Sequence, residues 1–169
     1  MTKADKILMV GCGNSKLSED LVEEGYEDIF NIDFSTKVIT QMKERCGEKY
    51  PKMEWKVMDV LDMSEIESGT FNTVLDKGTF DCIVCGDNSV PNAQKMMNEI
   101  FRVLAPGGHY MCISYGDPEF RKKYFETVQW SSLVCDKLAK PSAMVTPNIN
   151  ADDTDPKNFH YVYTMAKPK

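Results

Sequence analysis

Three residues near the N-terminus, Gly11, Gly13 and Asp33, have the types and the spacing of a small-ligand site. The two glycines directly follow an apolar run, and Asp33 closes the next apolar run, 20 residues after Gly13. Glycines at the end of a strand let the backbone approach a ligand closely, and the helix that follows offers unpaired N–H groups. A carboxylate at the end of the next strand can accept hydrogen bonds from both hydroxyls of a ribose. A lone G-x-G is usually only a tight turn, but its combination with Asp33 predicts a nucleoside cofactor.

The choice between nucleoside cofactors depends on residues further along the chain. Lys16 stands where a dinucleotide-binding loop has its third glycine, which disfavours NAD and makes a nicotinamide oxidoreductase the weakest alternative. Asp59 follows a third apolar run, where a side chain can meet an adenine amino group. Asp76 and Lys77 close a fourth run, beside the expected reactive centre. Each acid alone could be a turn or cap residue, but in this order they favour S-adenosylmethionine.

Alternating strands and helices must position these residues. Strands are predicted from short apolar or alternating runs at 6–10, 28–33, 53–60, 71–78, 109–116, 130–138 and 159–165. Helices are predicted from apolar residues three or four apart at 15–25 and 35–47, from Pro91 to 104, and from Pro118 onwards. A 20-residue loop, 139–158, joins the last two strands. This alternation predicts an α/β fold with a mostly parallel sheet, in which ligands bind at the carboxyl ends of the strands.

The composition is that of a globular protein. The chain has 169 residues, 42% of them hydrophobic, and no apolar run approaches the ~18 residues of a membrane helix. With no signal peptide at the N-terminus, these features predict one domain over 1–169, no membrane partner and a cytoplasmic location. The net charge of −6 argues against a nucleic-acid partner, because phosphate binding needs clustered Lys and Arg. It leaves a basic protein partner open and says nothing of the oligomeric state.

The six cysteines and two histidines have no metal-ligand spacing, so no metal site is predicted. Cys82 and Cys85 form a C-x-x-C pair, but the residues between them are apolar and no second pair follows. We therefore expect core cysteines there rather than a redox or zinc site. His109 and His160 lie in predicted strands and are interpreted as structural.

Several motifs together resemble those of one family. The stretches GCGNSKLSEDL, NIDFS, MDV, LDKGTFD, RVLAPGG and FHYVYTM resemble class I, seven-strand S-adenosylmethionine-dependent methyltransferases over nearly the whole chain. The pairing of GCGNS with DKGT is similar, more narrowly, to methyltransferase-like proteins that include lysine methyltransferases acting on translation elongation factor 1-alpha. The resemblance implies a three-layer, Rossmann-like, doubly wound sheet of seven strands, mostly parallel, with an antiparallel last strand.

The resemblance also implies a cofactor, S-adenosylmethionine, and roles for individual residues. The cofactor-binding residues would be Gly11, Cys12, Gly13, Asn14, Asp33, Phe34, Asp59, Val60 and Asp76. The first four would line the methionine part. Asp33 would hold the ribose, with Phe34 nearby, and Asp59 and Val60 would meet the adenine. Asp76 and Lys77 would be the catalytic residues; a carboxylate at Asp76 could orient an amine and help a water carry its proton away. The implied function is methyl transfer to a lysine of a protein substrate such as a translation elongation factor.

Two departures from the family pattern leave other functions open. Five residues precede the first predicted strand, so the N-terminal segment that closes the cofactor pocket in the family is expected to be short, absent or supplied from elsewhere. Many lysine and glutamine methyltransferases carry an Asn/Asp-Pro-Pro-aromatic motif after the fourth strand, and this chain has Asp76-Lys77-Gly78-Thr79 instead. The alternatives are a small-molecule methyltransferase and a catalytically inactive binding module.

Overall fold

The computed structural model describes residues 1–140 and 158–169. Its strands are β1 (Ile7–Val10), β2 (Ile29–Asp33), β3 (Glu54–Val57), β4 (Phe71–Lys77), β5 (Leu104–Ser114), β6 (Ser132–Ala139) and β7 (Phe159–Ala166). Its helices are α1 (Leu17–Glu23), α2 (Thr36–Cys46), α3 (Thr79–Cys85), α4 (Ser89–Val103) and α5 (Pro118–Phe125). The predicted loop at 139–158 lies almost wholly outside the described residues.

The seven strands found in the described residues form one sheet in the order β3-β2-β1-β4-β5-β7-β6. Neighbours from β3 to β5 run parallel, whereas β7 is antiparallel to both β5 and β6. The predicted α/β class, the mostly parallel sheet and the antiparallel last strand are therefore confirmed. Because β2 lies on one side of β1 and β4 on the other, the strand order reverses at β1. Open α/β sheets bind ligands at the carboxyl ends of the strands at such a point.

Helices cover both faces of the sheet and so complete three layers. α1 and α2 pack on the face that carries Ile7 and Met9 of β1. α3, α4 and α5 pack on the face that carries Leu8 and Val10. Ile7 and Met9 lie on one face and Leu8 and Val10 on the other because successive side chains of a strand point to opposite faces. The sheet is therefore held from both sides, which fixes the positions of its carboxyl ends.

The sequence does not predict α3, and this helix changes the interpretation of the cysteine pair. Ile83 and Val84 pack against the core, whereas Cys82 and Cys85 are exposed. Residues three apart share one face of a helix, so the two apolar residues between the cysteines turn inwards and leave both thiols outside. The prediction of core cysteines at these two positions is wrong.

Further bounds also differ from the predicted ones, and three of these differences are in α4, β5 and β3. α4 begins at Ser89 rather than Pro91, β5 begins at Leu104 and includes the A-P-G-G stretch, and β3 ends at Val57. None of these shifts moves a predicted site residue away from the carboxyl ends of the strands.

Across 1–140 and 158–169, no helix has the length and apolar character needed to cross a membrane. The same residues contain no group of three or more His, Cys, Asp or Glu that could hold a metal ion.

Candidate functional site

The glycine loop between β1 and α1 is in contact with Thr79, the first residue of α3. Gly11 and Gly13 adopt φ angles of 59° and 53°, and the Thr79 hydroxyl donates to the carbonyl oxygens of Val10 (3.0 Å) and Gly11 (3.2 Å). A Cβ atom added to Gly11 would lie 2.1 Å from Thr79 Oγ1. Glycine is therefore required at position 11 both for the left-handed backbone and for the approach of Thr79. The GCGNS and DKGT motifs touch each other directly.

Replacing Gly11 with alanine should lower the free energy of unfolding by roughly 2–4 kcal/mol, because alanine adds left-handed strain and overlaps Thr79. Gly13→Ala is the matched control. Its φ angle is similar, but a Cβ there would meet nothing within 4 Å, so only the strain of about 1–2 kcal/mol is expected. Urea unfolding of the three proteins measures both losses. Equal losses in the two variants would contradict the contact between Gly11 and Thr79.

Asp33 ties the glycine loop to the end of β2. Its Oδ2 accepts a hydrogen bond from the Gly13 N–H and its Oδ1 from the Ser35 N–H, both at 2.9 Å. An ionised carboxylate has about four acceptor positions, so two remain for ribose hydroxyls. Phe34, the next residue, is 80% exposed and offers a ring on which a base can stack. The space beside Gly13 is also open, since an added Cβ would meet nothing within 4 Å. Together these features fit the predicted nucleoside cofactor.

Two further residues hold the loop in place. Cys12 is buried, and this burial together with the charge of Asp33 raises the pKa of its thiol to about 12, so the thiol stays protonated. Arg45 of α2 donates to the carbonyl oxygens of Asn14 and Ser15, each at 3.1 Å. Arg45 was not predicted from the sequence, because a basic residue in the last turn of a helix is also an ordinary partner of the helix dipole. Asn14 itself is exposed in the loop.

Asp59 and Val60 follow β3 at the same end of the sheet. Asp59 is exposed, and its Oδ1 accepts a hydrogen bond from the Leu61 N–H at 2.9 Å. Val60 is buried in the core on the α3–α5 face. Asp59 therefore closes a local turn and leaves its other carboxylate oxygen for a ligand, whereas the Val60 side chain serves mainly to anchor the turn.

Asp76 and Lys77 end β4, and as successive strand residues they point to opposite faces of the sheet. Asp76 is buried, and its carboxylate accepts hydrogen bonds from the Tyr110 hydroxyl (2.9 Å) and from the N–H groups of Thr79 (2.9 Å) and Phe80 (3.0 Å). Burial raises the pKa of the Asp76 carboxyl to about 7 although these bonds oppose the shift. Lys77 is exposed. Asp76 thus shapes the turn into α3, and the catalytic roles of both residues stay predictions.

The raised pKa of Asp76 makes its contribution to stability depend on pH. The pKa rises from an ordinary 3.8 to about 7 on folding, so the contribution is complete below about pH 4 and is lost as the pH rises towards 7. The Asp76→Asn variant does not titrate at this position and serves as the reference. Relative to it, the free energy of unfolding of the unaltered chain should fall by about 2–3 kcal/mol between about pH 5 and pH 8, at 1.36 kcal/mol per pKa unit. Urea unfolding at both pH values tests this. If the difference in unfolding free energy between the unaltered chain and Asp76→Asn were the same at both pH values, the raised pKa of Asp76 would be contradicted.

Next to Asp76, a buried ion pair joins α3 to α5. Arg121 donates to Asp81 Oδ1 from Nε (3.2 Å) and Nη2 (2.9 Å), and its Nε also donates to Ser114 Oγ (3.1 Å). The other oxygen of Asp81 accepts a hydrogen bond from the Tyr115 N–H at 3.0 Å. The Arg121 and Asp81 side chains are only 8% and 6% exposed. This network fixes the end of β5, directly before the exposed side chain of Tyr115.

Tyr115 forms one wall of a shallow, mainly apolar depression of about 280 Å³ at the carboxyl ends of β4 and β5. The other lining residues are Gly78, Asp81, Cys82 and Cys85. The Tyr115 hydroxyl lies 2.8 Å from Cys85 Sγ. Since Gly78 follows β4 and the glycine loop follows the adjacent β1, the depression offers room for a second ligand beside the predicted cofactor. Neither Tyr115 nor Asp81 was predicted as a site residue.

Comparison with known proteins identifies the family. A family described as "Methyltransferase domain" matches residues 1–166. The mouse protein "eEF1A lysine and N-terminal methyltransferase" is 46% identical over 121 residues, which are 70% of this chain and 17% of that protein. The bovine "EEF1A lysine methyltransferase 4" is 33% identical over 129 residues, which are 72% of this chain and 50% of that protein. The chain therefore spans half or less of the length of these relatives.

Solved structures share the fold. A methyltransferase from Methanosarcina mazei, described as SAM-dependent, has a TM-score of 0.70 at 17% identity, with 99% of this chain and 94% of that chain covered. Phosphoethanolamine N-methyltransferase 2 of Haemonchus contortus, in complex with S-adenosyl-L-methionine, has a TM-score of 0.73 at 14% identity, with 100% and 50% covered. At 17% and 14% identity, these two likenesses show the fold. The chain belongs to the methyltransferase domain family.

Proposed function

We propose that the chain transfers a methyl group from S-adenosylmethionine to a lysine side chain of a protein substrate, a translation elongation factor or a protein that resembles one. The observation that carries the proposal is the position of the glycine loop and Asp33 at the point where the strand order reverses. The two are joined by a 2.9 Å hydrogen bond from the Gly13 N–H to Asp33 Oδ2. The acceptor is supported by the names of the relatives, which are methyltransferases of eEF1A lysine.

When bound, the cofactor supplies a methyl carbon that is already activated by the sulfonium charge. Asp33 would accept the ribose hydroxyls, and the open side of Gly13 would admit the methionine part. Phe34 would cover the base, and Asp59 would meet its amino group. Thr79 and Asp76 would keep the loop and the β4 turn at a fixed separation, so that a nucleophile can be aligned with the methyl carbon.

The depression beside Tyr115 suits the acceptor amine. A lysine amine must lose its proton before it can attack. Apolar surroundings favour the uncharged amine, and Asp81, the acid that lines the depression, is already neutralised by Arg121 at 2.9 Å. Among the described residues that line the depression, none therefore carries an unpaired carboxylate that would hold the ammonium form. The aliphatic part of a lysine side chain would pack against the Tyr115 ring.

Tyr115→Ala should lower kcat/KM for the protein substrate by about tenfold, a loss of about 1.4 kcal/mol in transition-state stabilisation. The affinity for S-adenosylhomocysteine should not change, because Tyr115 lies on the acceptor side. Val134→Ala is the matched control, since both residues are 53% exposed and Val134 lies on the edge strand β6. Equal activity of Tyr115→Ala and Val134→Ala would count against the acceptor subsite.

Two general properties of the chain support the proposal. Its acidic balance, 26 Asp and Glu against 20 Lys and Arg, suits a basic protein partner. All six cysteines are free thiols, which supports the predicted cytoplasmic location, where disulfides are rare.

The test of the proposal is methyl transfer from S-adenosylmethionine with a labelled methyl group to purified translation elongation factor 1-alpha. We expect label on a lysine of the factor, located by mass spectrometry, and none when the Asp33→Ala variant replaces the unaltered chain. Cofactor binding without transfer to the factor or to a whole-cell protein extract would favour the inactive binding module. Transfer to small amines alone would favour the small-molecule methyltransferase.

A further inference from the structure

The C-x-x-C pair of α3 lines the depression beside Tyr115, but the proposed function gives its two exposed thiols no role. Cys82 and Cys85 are both exposed, whereas Cys12, Cys46 and Cys112 are buried and Cys135 is partly buried. Both exposed thiols line the depression beside Tyr115. An external reagent would therefore meet these two cysteines first.

The helix brings the two cysteines to a separation that a disulfide can span. Three residues of α-helix place the Cα atoms about 5 Å apart, inside the disulfide window of roughly 4.4–6.8 Å. The Cβ atoms of such a pair are about 5–6 Å apart, and a disulfide needs roughly 3.5–4.5 Å, so the last turn must tighten by about 1 Å. Cys85 is the final residue of α3, and Gly86 after it is extended, with φ −87° and ψ 173°. Only the end of the helix has to move.

The packing of α3 keeps the pair facing outwards while this happens. Phe80 is buried, and Ile83 and Val84 pack against the same core. These three residues hold the opposite side of the helix, so the two thiols stay together at the surface. A metal ion is a poorer occupant, because the described part of the chain contains no group of three or more metal-ligating side chains.

We propose that Cys82 and Cys85 are a dithiol site that forms a reversible disulfide by exchange with a small-molecule disulfide such as oxidised glutathione. One cysteine thiolate attacks the glutathione S–S bond, which gives a mixed disulfide and releases one glutathione. The second cysteine attacks the sulfur of the first, forms the Cys82–Cys85 bond and releases the other glutathione. The protein gives up two protons and two electrons, and these appear in the two glutathione molecules.

The bond would change the acceptor side of the candidate site. Cys85 Sγ now lies 2.8 Å from the Tyr115 hydroxyl, and a sulfur that turns towards Cys82 leaves this contact. The Tyr115 backbone stays fixed by Asp81 at 3.0 Å, so only the side chain is affected: it loses Cys85 and keeps its contact with Arg121, 5.2 Å from the ring centroid. Because this consequence rests on the proposed function, the site and its consequence are tested separately.

The first experiment tests the site and needs no substrate. The purified chain is equilibrated in glutathione buffers of increasing oxidised fraction, its remaining thiols are alkylated, and it is digested with trypsin. The peptide 78–95 contains both cysteines and no other. We expect this peptide to lose two hydrogens, and dithiothreitol to restore them. Unmodified thiols, or glutathione attached to both cysteines, at the most oxidising ratio would overturn the proposal.

Variants decide whether the pair is specific. Cys82→Ser and Cys85→Ser should each leave one cysteine that carries a single glutathione. Cys135→Ser is the matched control and should form the Cys82–Cys85 bond at the same glutathione ratio as the unaltered chain. A shift of that ratio in Cys135→Ser would mean that the pair is not the exchanging unit, and this would contradict the proposal.

The second experiment tests the consequence. The oxidised chain should methylate the elongation factor several-fold more slowly than the reduced chain, with the same affinity for S-adenosylhomocysteine and with full recovery in dithiothreitol. Equal rates would overturn the regulatory role and leave the dithiol site standing. A reduced chain that methylates nothing would contradict the proposed function instead, since the peptide experiment is independent of activity.

Discussion

Asp33→Ala is expected to weaken the binding of S-adenosylhomocysteine by at least about a hundredfold, measured by isothermal titration calorimetry. Hydrogen bonds to a charged group contribute about 1.5–3 kcal/mol each, and the variant loses those to both ribose hydroxyls. In the unaltered chain the Gly13 and Ser35 N–H groups each donate to Asp33 at 2.9 Å. The variant leaves both groups without this acceptor. A loss of about 3 kcal/mol corresponds to slightly more than a hundredfold in affinity.

Two controls separate the ribose contact from a general loss of structure. Asp33→Asn keeps one acceptor oxygen for the loop and should retain the fold while binding more weakly. Asp136→Ala changes an exposed acid on β6, at the far edge of the sheet from Asp33, and should bind as the unaltered chain does. Undiminished affinity in Asp33→Ala would remove Asp33 from the cofactor site and the main support from the proposed function.

The sequence predicts the cofactor side of the site because its residues follow consecutive, adjacent strands. Val10 of β1 pairs with Ile32 of β2 on one side and with Asp76 of β4 on the other. The ends of these three strands therefore lie at one level. A glycine loop after the first strand and an acid at the end of the second must then meet, and their spacing in the sequence carries that information.

The acceptor side could not be predicted in the same way. α3 has only seven residues, too few for its helical period to stand out from the apolar run before it, and the exposure of Cys82 and Cys85 depends on that period. The bonds of Asp81 to Ser114 and Arg121 join residues far apart in the chain. No local pattern marks such pairs. The sequence therefore supports the cofactor more strongly than it supports the acceptor.

The buried pair of Asp81 and Arg121 should have the largest effect on stability. Arg121→Met should lower the free energy of unfolding by about 3–5 kcal/mol, because it leaves the Asp81 charge buried without its partner. The exposed pair Lys52 and Glu27 provides the control, with side chains 73% and 69% exposed. Lys52→Met should change the free energy of unfolding far less, as is usual for surface pairs. Urea unfolding measures both.

The double variant Asp81→Leu with Arg121→Met separates the worth of the pair from the cost of an uncompensated charge. Apolar residues of similar size can replace a buried ion pair with little loss, so the double variant should be more stable than Arg121→Met alone, and a double-mutant cycle gives the coupling. The kcat/KM of the double variant for the protein substrate is more informative than its stability. Asp81 holds the Tyr115 N–H at 3.0 Å, and leucine cannot accept that bond. If the ion pair positions Tyr115, Arg121→Met will also lower kcat/KM, and the double variant will regain stability without regaining kcat/KM. Recovery of both quantities would mean that the ion pair serves stability alone.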